Sequence, residues 1–261
     1  MKQVPLKEFF QQVNYDWEKD IDFFKDVCSL SKTRARPVSI KDAFEDSPQE
    51  FEFTWGMEQP FIMKAFIESL EGKINYFEIG TGRGTSSMAA AGSKNINKID
   101  SFDILEPKDK RKNVVNFKEV QASNVDILKE FESKYSDKLK PNDREGTTMG
   151  IKLHHVSEYA SFINDDNNRD YDVCFIDGEH ENPEIILKDY LICNKVMERS
   201  NHAYIIWDDY YPDKMNVKHV VERVVEVDKR ESYLVPFRGH LFGSKNRPIE
   251  KDAGVVIMKL K

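Results

Sequence analysis

Two almost unbroken apolar runs, YDVCFI at 171–176 and AYIIW at 203–207, set the first constraint on this fold. A strand that is apolar on both faces must be covered on both faces, and that is the condition of a central strand in a parallel sheet. Less uniformly apolar runs at 74–79, 99–105 and 151–156 extend the series. Between the runs lie segments with helical spacing: 86–91, built of small residues; 183–197, with Ile185, Ile186, Tyr190, Leu191 and Val196; and 217–227. This alternation predicts a Rossmann-like, doubly wound α/β fold with a mostly parallel seven-stranded sheet. The last two candidate strands, 234–237 and 254–260, have no full crossover helix between them, which predicts an antiparallel hairpin at one edge.

The chain ahead of this pattern reads differently. Leu6, Phe9, Phe10, Val13, Trp17, Ile21, Phe24 and Val27 recur every three or four residues, one apolar stripe of a helix over 5–29. A second helical pattern spans 59–70 and stops at Gly72. The expected organisation is therefore a helical extension over 1–72 and an α/β domain over 73–261, with a charged insertion at about 107–149. Within that insertion 125–139 suits an exposed helix. The amphipathic first helix suits packing on a second copy of the chain as well as on its own domain.

Composition narrows the function. The 261 residues carry 39 basic and 46 acidic side chains, a net charge of −7. A nucleic-acid backbone is a poor partner for such a chain, since its binders carry a basic surplus. No stretch reaches the roughly 18 to 20 apolar residues of a membrane span, and the first twenty residues lack the apolar core of a signal peptide. Cys28, Cys174 and Cys193 are odd in number and far apart, which suits a reducing, cytoplasmic setting.

The first chemical signal is EIGTGRGT at 78–85, where the first apolar run meets the first helical segment. Gly80, Gly82 and Gly84 allow a sharp turn and close approach of the backbone to a ligand, and Thr81 lies among them. The spacing is G-x-G-x-G rather than the G-x-G-x-x-G of dinucleotide sites. Glu78 would repel a pyrophosphate but pair with an ammonium group, so S-adenosylmethionine fits better than a nicotinamide dinucleotide. Asp103, 19 residues after the last glycine, is placed to accept hydrogen bonds from ribose hydroxyls, with Asp100 and Glu106 as rivals. Ser157, after the third run, suits either an adenine contact or a helix cap.

The second signal is FIDGEH at 175–180 together with IIWDDY at 205–210. Each acid ends an apolar strand, and ligands of open α/β sheets bind beyond the carboxyl ends of the strands. If the two strands are neighbours, Asp177, Asp208 and Asp209 converge. Carboxylates so gathered repel one another unless a cation joins them, and oxygen donors favour Mg²⁺ or another hard divalent ion. His180, three residues past Asp177, suits a general base. Trp55, Tyr210 and Tyr211 are candidates for the wall of a substrate pocket.

YFEIGTGRGTSS, FDILEP, CFIDGEH and IIWDDY resemble the class I S-adenosylmethionine-dependent methyltransferases, and within them the macrocin-type metal-dependent sugar O-methyltransferases. The resemblance covers about 74–260. It implies that Glu78 and Asp103 hold the cofactor, that Asp177, Asp208 and Asp209 bind Mg²⁺, and that His180 serves as base. It further implies O-methylation of a small-molecule hydroxyl on a sugar or polyol. Glu181-Asn182-Pro183 departs from the family's usual continuation of IDG-x-H, so its substrate contacts do not transfer. A metal-independent methyltransferase and a catalytically silent cofactor-binding protein are the alternatives.

Overall fold

A computed structural model describes residues 1–31, 38–39, 52–53, 58–115, 118–135, 150–210, 216–236 and 254–261. In chain order the strands are β1 (Lys2–Gln3), β2 (Val38–Ser39), β3 (Glu52–Phe53), β4 (Ile74–Ile79), β5 (Ile96–Asp103), β6 (Arg111–Val115), β7 (Lys118–Ala122), β8 (Ile151–His155), β9 (Val173–Ile176), β10 (Tyr204–Tyr210), β11 (Glu231–Pro236) and β12 (Gly254–Lys259). The α-helices are α1 (Leu6–Gln12), α2 (Ile21–Leu30), α3 (Glu58–Ser69), α4 (Thr85–Ala91), α5 (Asn124–Tyr135), α6 (Tyr159–Asn164), α7 (Pro183–Val196) and α8 (Val217–Asp228).

The main sheet runs β1-β11-β12-β10-β9-β4-β5-β8. Pairing is parallel from β8 through β10, while β12 runs antiparallel to both β10 and β11. The edge hairpin therefore appears where the sequence requires it. The sheet has eight strands rather than seven because Lys2 and Gln3 pair in parallel with Tyr233 and Leu234 on the outer edge of β11.

Side-chain alternation along the strands feeds two cores. Tyr76, Val173, Phe175, Ile206 and Ile257 pack with α2, α3, α4 and α5 on one face. Phe77, Cys174, Ile176, Ile205, Trp207 and Val256 pack with α7 and α8 on the other. The N-terminal stripe is buried as expected, with Leu6, Phe9, Phe24 and Val27 at 1% exposure or less. It is not one helix: Asn14 adopts a left-handed backbone with φ of 52° and separates α1 from a short 3₁₀ turn at Trp17–Asp20. Asn tolerates that conformation better than most residues, so the periodicity survives while the helix breaks. The expected helix at 125–139 is present as α5 over Asn124–Tyr135, and 136–139 lie outside the described residues. Trp55 and Tyr211, proposed as pocket walls, lie outside the described residues. None of the described helices is long and apolar enough to cross a membrane.

Candidate functional site

β4 delivers the glycine turn. Ile74 and Tyr76 belong to the core on the α4 side, Phe77 and Ile79 to the opposite one. Period-two alternation therefore aims Glu78 at α4. Its carboxylate has no exposure and accepts hydrogen bonds from the hydroxyls of Ser86, Ser87 and Ser101. Burial raises it to about 7 against the opposing pull of Ser101, Ser86 and Ser87. Glu78 thus faces three serines, and it does not line the cavity described below.

The turn itself is stitched to its neighbours. The amides of Gly80 and Thr81 donate to the Phe102 carbonyl at 2.8 and 3.1 Å, and the Asp177 amide donates to the Ile79 carbonyl at 2.8 Å. Gly80 has φ of 94°, and a Cβ there would lie 1.9 Å from the Asp177 carbonyl oxygen. No other residue fits. Thr81 is buried, with its hydroxyl 2.6 Å from that of Ser101. Gly84 caps the start of α4 with φ of 75° and stays clear of the cavity.

Asp103 closes β5. Its Oδ2 accepts from the Gly82 amide and its Oδ1 from the Leu105 amide, both at 2.9 Å. The rival Asp100 is buried instead, bonded to His154 Nε2 at 2.8 Å and to the Tyr171 hydroxyl at 2.6 Å. Ser157 is exposed, with its hydroxyl 2.8 Å from His155 Nδ1. Its neighbours Val156 and Tyr159 line the cavity in its place.

That cavity measures about 500 Å³, within the range of small-molecule sites. Gly80, Gly82, Asp103 and Asp177 form one side of it. Ile104, Leu105 and Ile185 bring an apolar wall that is 76%, 41% and 43% exposed. Lys188 and Asp189 of α7 also line it, as do Gly178 and Glu179.

Asp177 also belongs to a second group. β9 and β10 are direct neighbours, with Ile176 opposite Trp207, so the acids that follow them meet. One ligand atom each from Asp177, His180 and Asp209 lies within 4.8 Å of the other two. His180 Nε2 is 3.2 Å from Asp177 Oδ1 and 2.9 Å from Asp209 Oδ2. The side chains of Asp177 and His180 keep 30% of their surface and that of Asp209 17%, so the group is reachable from solvent.

The backbone of β10 explains how consecutive aspartates serve one place. Between Trp207 and Tyr210 this strand spends one residue more than β12, a β-bulge, and Asp209 sits in it with φ of 51°. A bulge re-aims the side chain it carries, and a left-handed non-glycine residue costs about 1–3 kcal/mol that surrounding structure must over-determine. Asp208 stands beside the cluster rather than in it. Its Oδ1 is sealed from solvent and has no hydrogen-bond partner among the described residues.

The electrostatics follow. Burial, then Asp209 and Asp177, push Asp208 well above the carboxylate range. Burial also pushes Asp177 up, to about 6, with Asp209 adding to the shift and His180 opposing it. Asp177 and Asp209 raise His180 to about 10. The imidazole is therefore protonated at neutral pH, and it becomes a base only when another cation takes its two aspartate partners. An orphan carboxylate oxygen beside crowded acids, with oxygen donors and one imidazole within reach, fits a hard or borderline divalent cation.

Sequence reasoning missed Tyr159 and Asp189. Asp189 had a legible signal: it falls on the buried stripe Ile186, Tyr190, Cys193 and Val196, where a carboxylate is out of place.

No protein-family model matches the chain, and no curated protein matches it. Among solved structures it is similar to an O-methyltransferase from Bacillus cereus in complex with SAH, at 11% identity and a TM-score of 0.53, covering 98% of this chain and 100% of that one. The fold is that of a Rossmann-like methyltransferase. It is also similar to the O-methyltransferase TomG from Streptomyces achromogenes, involved in tomaymycin synthesis and solved with SAM, at 12% identity and a TM-score of 0.49, covering 93% and 95% of the two chains.

Proposed function

We propose that this methyltransferase-fold chain is an S-adenosylmethionine-dependent O-methyltransferase that uses a divalent cation, Mg²⁺ or a similar hard ion. Its acceptor on this reading is a hydroxyl of a sugar, polyol or related small molecule. The observation that carries the proposal is the meeting of Asp177, Asp209 and His180 at the side of a cavity that begins at the glycine turn. The SAH named for the Bacillus cereus structure supports the same cofactor here.

The chain's own residues divide the work. Gly80 and Gly82 let the backbone approach the cofactor, and Asp103 accepts from its ribose hydroxyls. Asp177 and Asp209 hold the cation, with Asp208 as the neighbouring carboxylate that favours it. Bound there, a divalent ion supplies a Lewis acid that eases deprotonation of a hydroxyl. His180, freed from its two aspartates, takes the acceptor's proton. Alignment is the remaining task, since the methyl donor is itself a strong electrophile.

The test is formation of S-adenosylhomocysteine across a panel of sugar and polyol acceptors, with Mg²⁺ and with EDTA. Turnover that requires the cation supports the proposal. Full turnover in cation-free protein removes the metal and leaves the alternative in which His180 alone balances Asp177 and Asp209.

A further inference from the structure

The imidazole of His180 is held by the groups it must later give up. Its Nε2 contacts Asp177 and Asp209, and among the described residues its ring makes no other hydrogen bond. Once those carboxylates turn to a cation, the ring keeps no side-chain partner at the moment it is to accept a proton. What then places it is the backbone that carries it. Placement is not a detail, since a displacement of about 1 Å is enough to slow a reaction up to about 100-fold.

That backbone is the turn at 179–182, and it is gripped from two sides. On the inside, Glu179 Oε1 accepts from the amides of His180, Glu181 and Asn182 at 3.0, 2.8 and 3.2 Å. On the outside stands Asn216. Its backbone amide donates to the His180 carbonyl at 2.8 Å, and its side-chain amide donates to the Glu181 carbonyl.

Asn216 opens α8, where its own carbonyl accepts from the Val220 amide at 3.1 Å. An asparagine at this place ordinarily turns its side-chain oxygen onto the second or third amide of its own helix. Here the side chain makes no such bond. A residue suited to capping α8 is spent instead on the neighbouring turn. Asn216 also follows closely on Asp209 in the chain, so it ties the strand end that bears one member of the cluster to the turn that bears another.

Resting on the methyltransferase reading, we propose that Asn216 is a positioning residue for His180, its side-chain amide holding the turn so that the imidazole stays in place after Asp177 and Asp209 have left it. Asn216 acts through the backbone of 180–181 and not on the acceptor itself.

The variant that tests this is Asn216→Asp. It keeps the size, sets an acceptor in place of a donor against the Glu181 carbonyl, and caps a helix as well as asparagine does. Calorimetry should therefore find a Tm equal to that of wild type or higher. In protein saturated with S-adenosylhomocysteine and Mg²⁺, the His180 ring signals of a ¹⁵N-correlated spectrum, assigned by their loss in His180→Ala, should form one sharp set in wild type and a broadened or divided set in the variant. On the acceptor that supports turnover, kcat should fall at least about tenfold while the KM for S-adenosylmethionine holds. In a His180→Ala background the same substitution should lower kcat by less than about twofold, because the residue it positions is gone. Ring signals identical to wild type, an equal loss of kcat with and without His180, or a fall in Tm that accompanies the loss of kcat would each overturn the inference, while binding of S-adenosylhomocysteine leaves the methyltransferase reading intact. Failure of wild type to bind S-adenosylhomocysteine would overturn that reading, and the inference with it.

Discussion

Glu78 and Asp208 both sit near the carboxyl ends of strands in one sheet, and the protein treats them in opposite ways. Glu78 is surrounded by the hydroxyls of Ser86, Ser87 and Ser101, which α4 and β5 supply. Asp208 has an oxygen sealed from solvent without a donor, and Asp177 and Asp209 as like-charged neighbours. A buried carboxylate with its own donors is a finished piece of structure. One with a sealed oxygen left over, among other acids, is satisfied by a cation. The difference separates the two acids more sharply than their similar positions in sequence would.

The largest effect should come from breaking the cation side. Asp209→Ala removes a partner from the cluster, and turnover should fall at least about 100-fold, beyond the losses typical of merely supporting partners of a metal site. Initial rates at saturating Mg²⁺ measure it, and a rate near wild type would assign Asp209 to the bulge alone. Next is the joint between the two regions. Gly80→Ala would drive a Cβ into the backbone of Asp177 at a positive φ, and about 3 kcal/mol or more of stability should be lost. Urea denaturation reads that loss directly.

Glu78 sharpens the comparison through pH. Its folded pKa of about 7 lies above its ordinary 4.5, so its contribution is fully present below pH 4.5 and is lost as the pH climbs through 7. Glu78→Gln cannot ionise, and its stability should change between these pH values by roughly 3 kcal/mol less than that of wild type. Parallel pH profiles in wild type and variant would mean that the serines hold the ionised form after all. The smallest effect should have the opposite sign to most core substitutions. At a pH high enough to ionise Asp208, Asp208→Asn removes a like charge from the cation-free protein and should stabilise it by about 1–2 kcal/mol, while shrinking the rise in Tm that Mg²⁺ brings. Calorimetry with and without the cation checks both parts.

The central strands were legible because burial on two faces leaves an apolar run that no surface segment imitates. Asp103 was legible for a related reason: it is the acid that ends its strand, whereas Asp100, three residues earlier, points into the sheet's cover and pairs with His154 and Tyr171. The direction of Glu78 was in principle readable from alternation along 74–79, but its three serine partners come from two other elements. The break at Asn14 left no mark on the hydrophobic spacing, which counts residues and not backbone angles.

By itself the sequence determined which residues end strands, since the period of side-chain burial and the placement of glycines are local properties. Tertiary structure decided what those residues face. Asp177 and Asp209 meet His180 because β9 and β10 are adjacent and a bulge held by β12 turns Asp209 aside, and Asp189 is enclosed because α7 packs its wrong-looking face under Gly178. Such outcomes depend on pairings between distant segments, and a carboxylate's chemistry is set by whatever those pairings bring within a few ångströms of it.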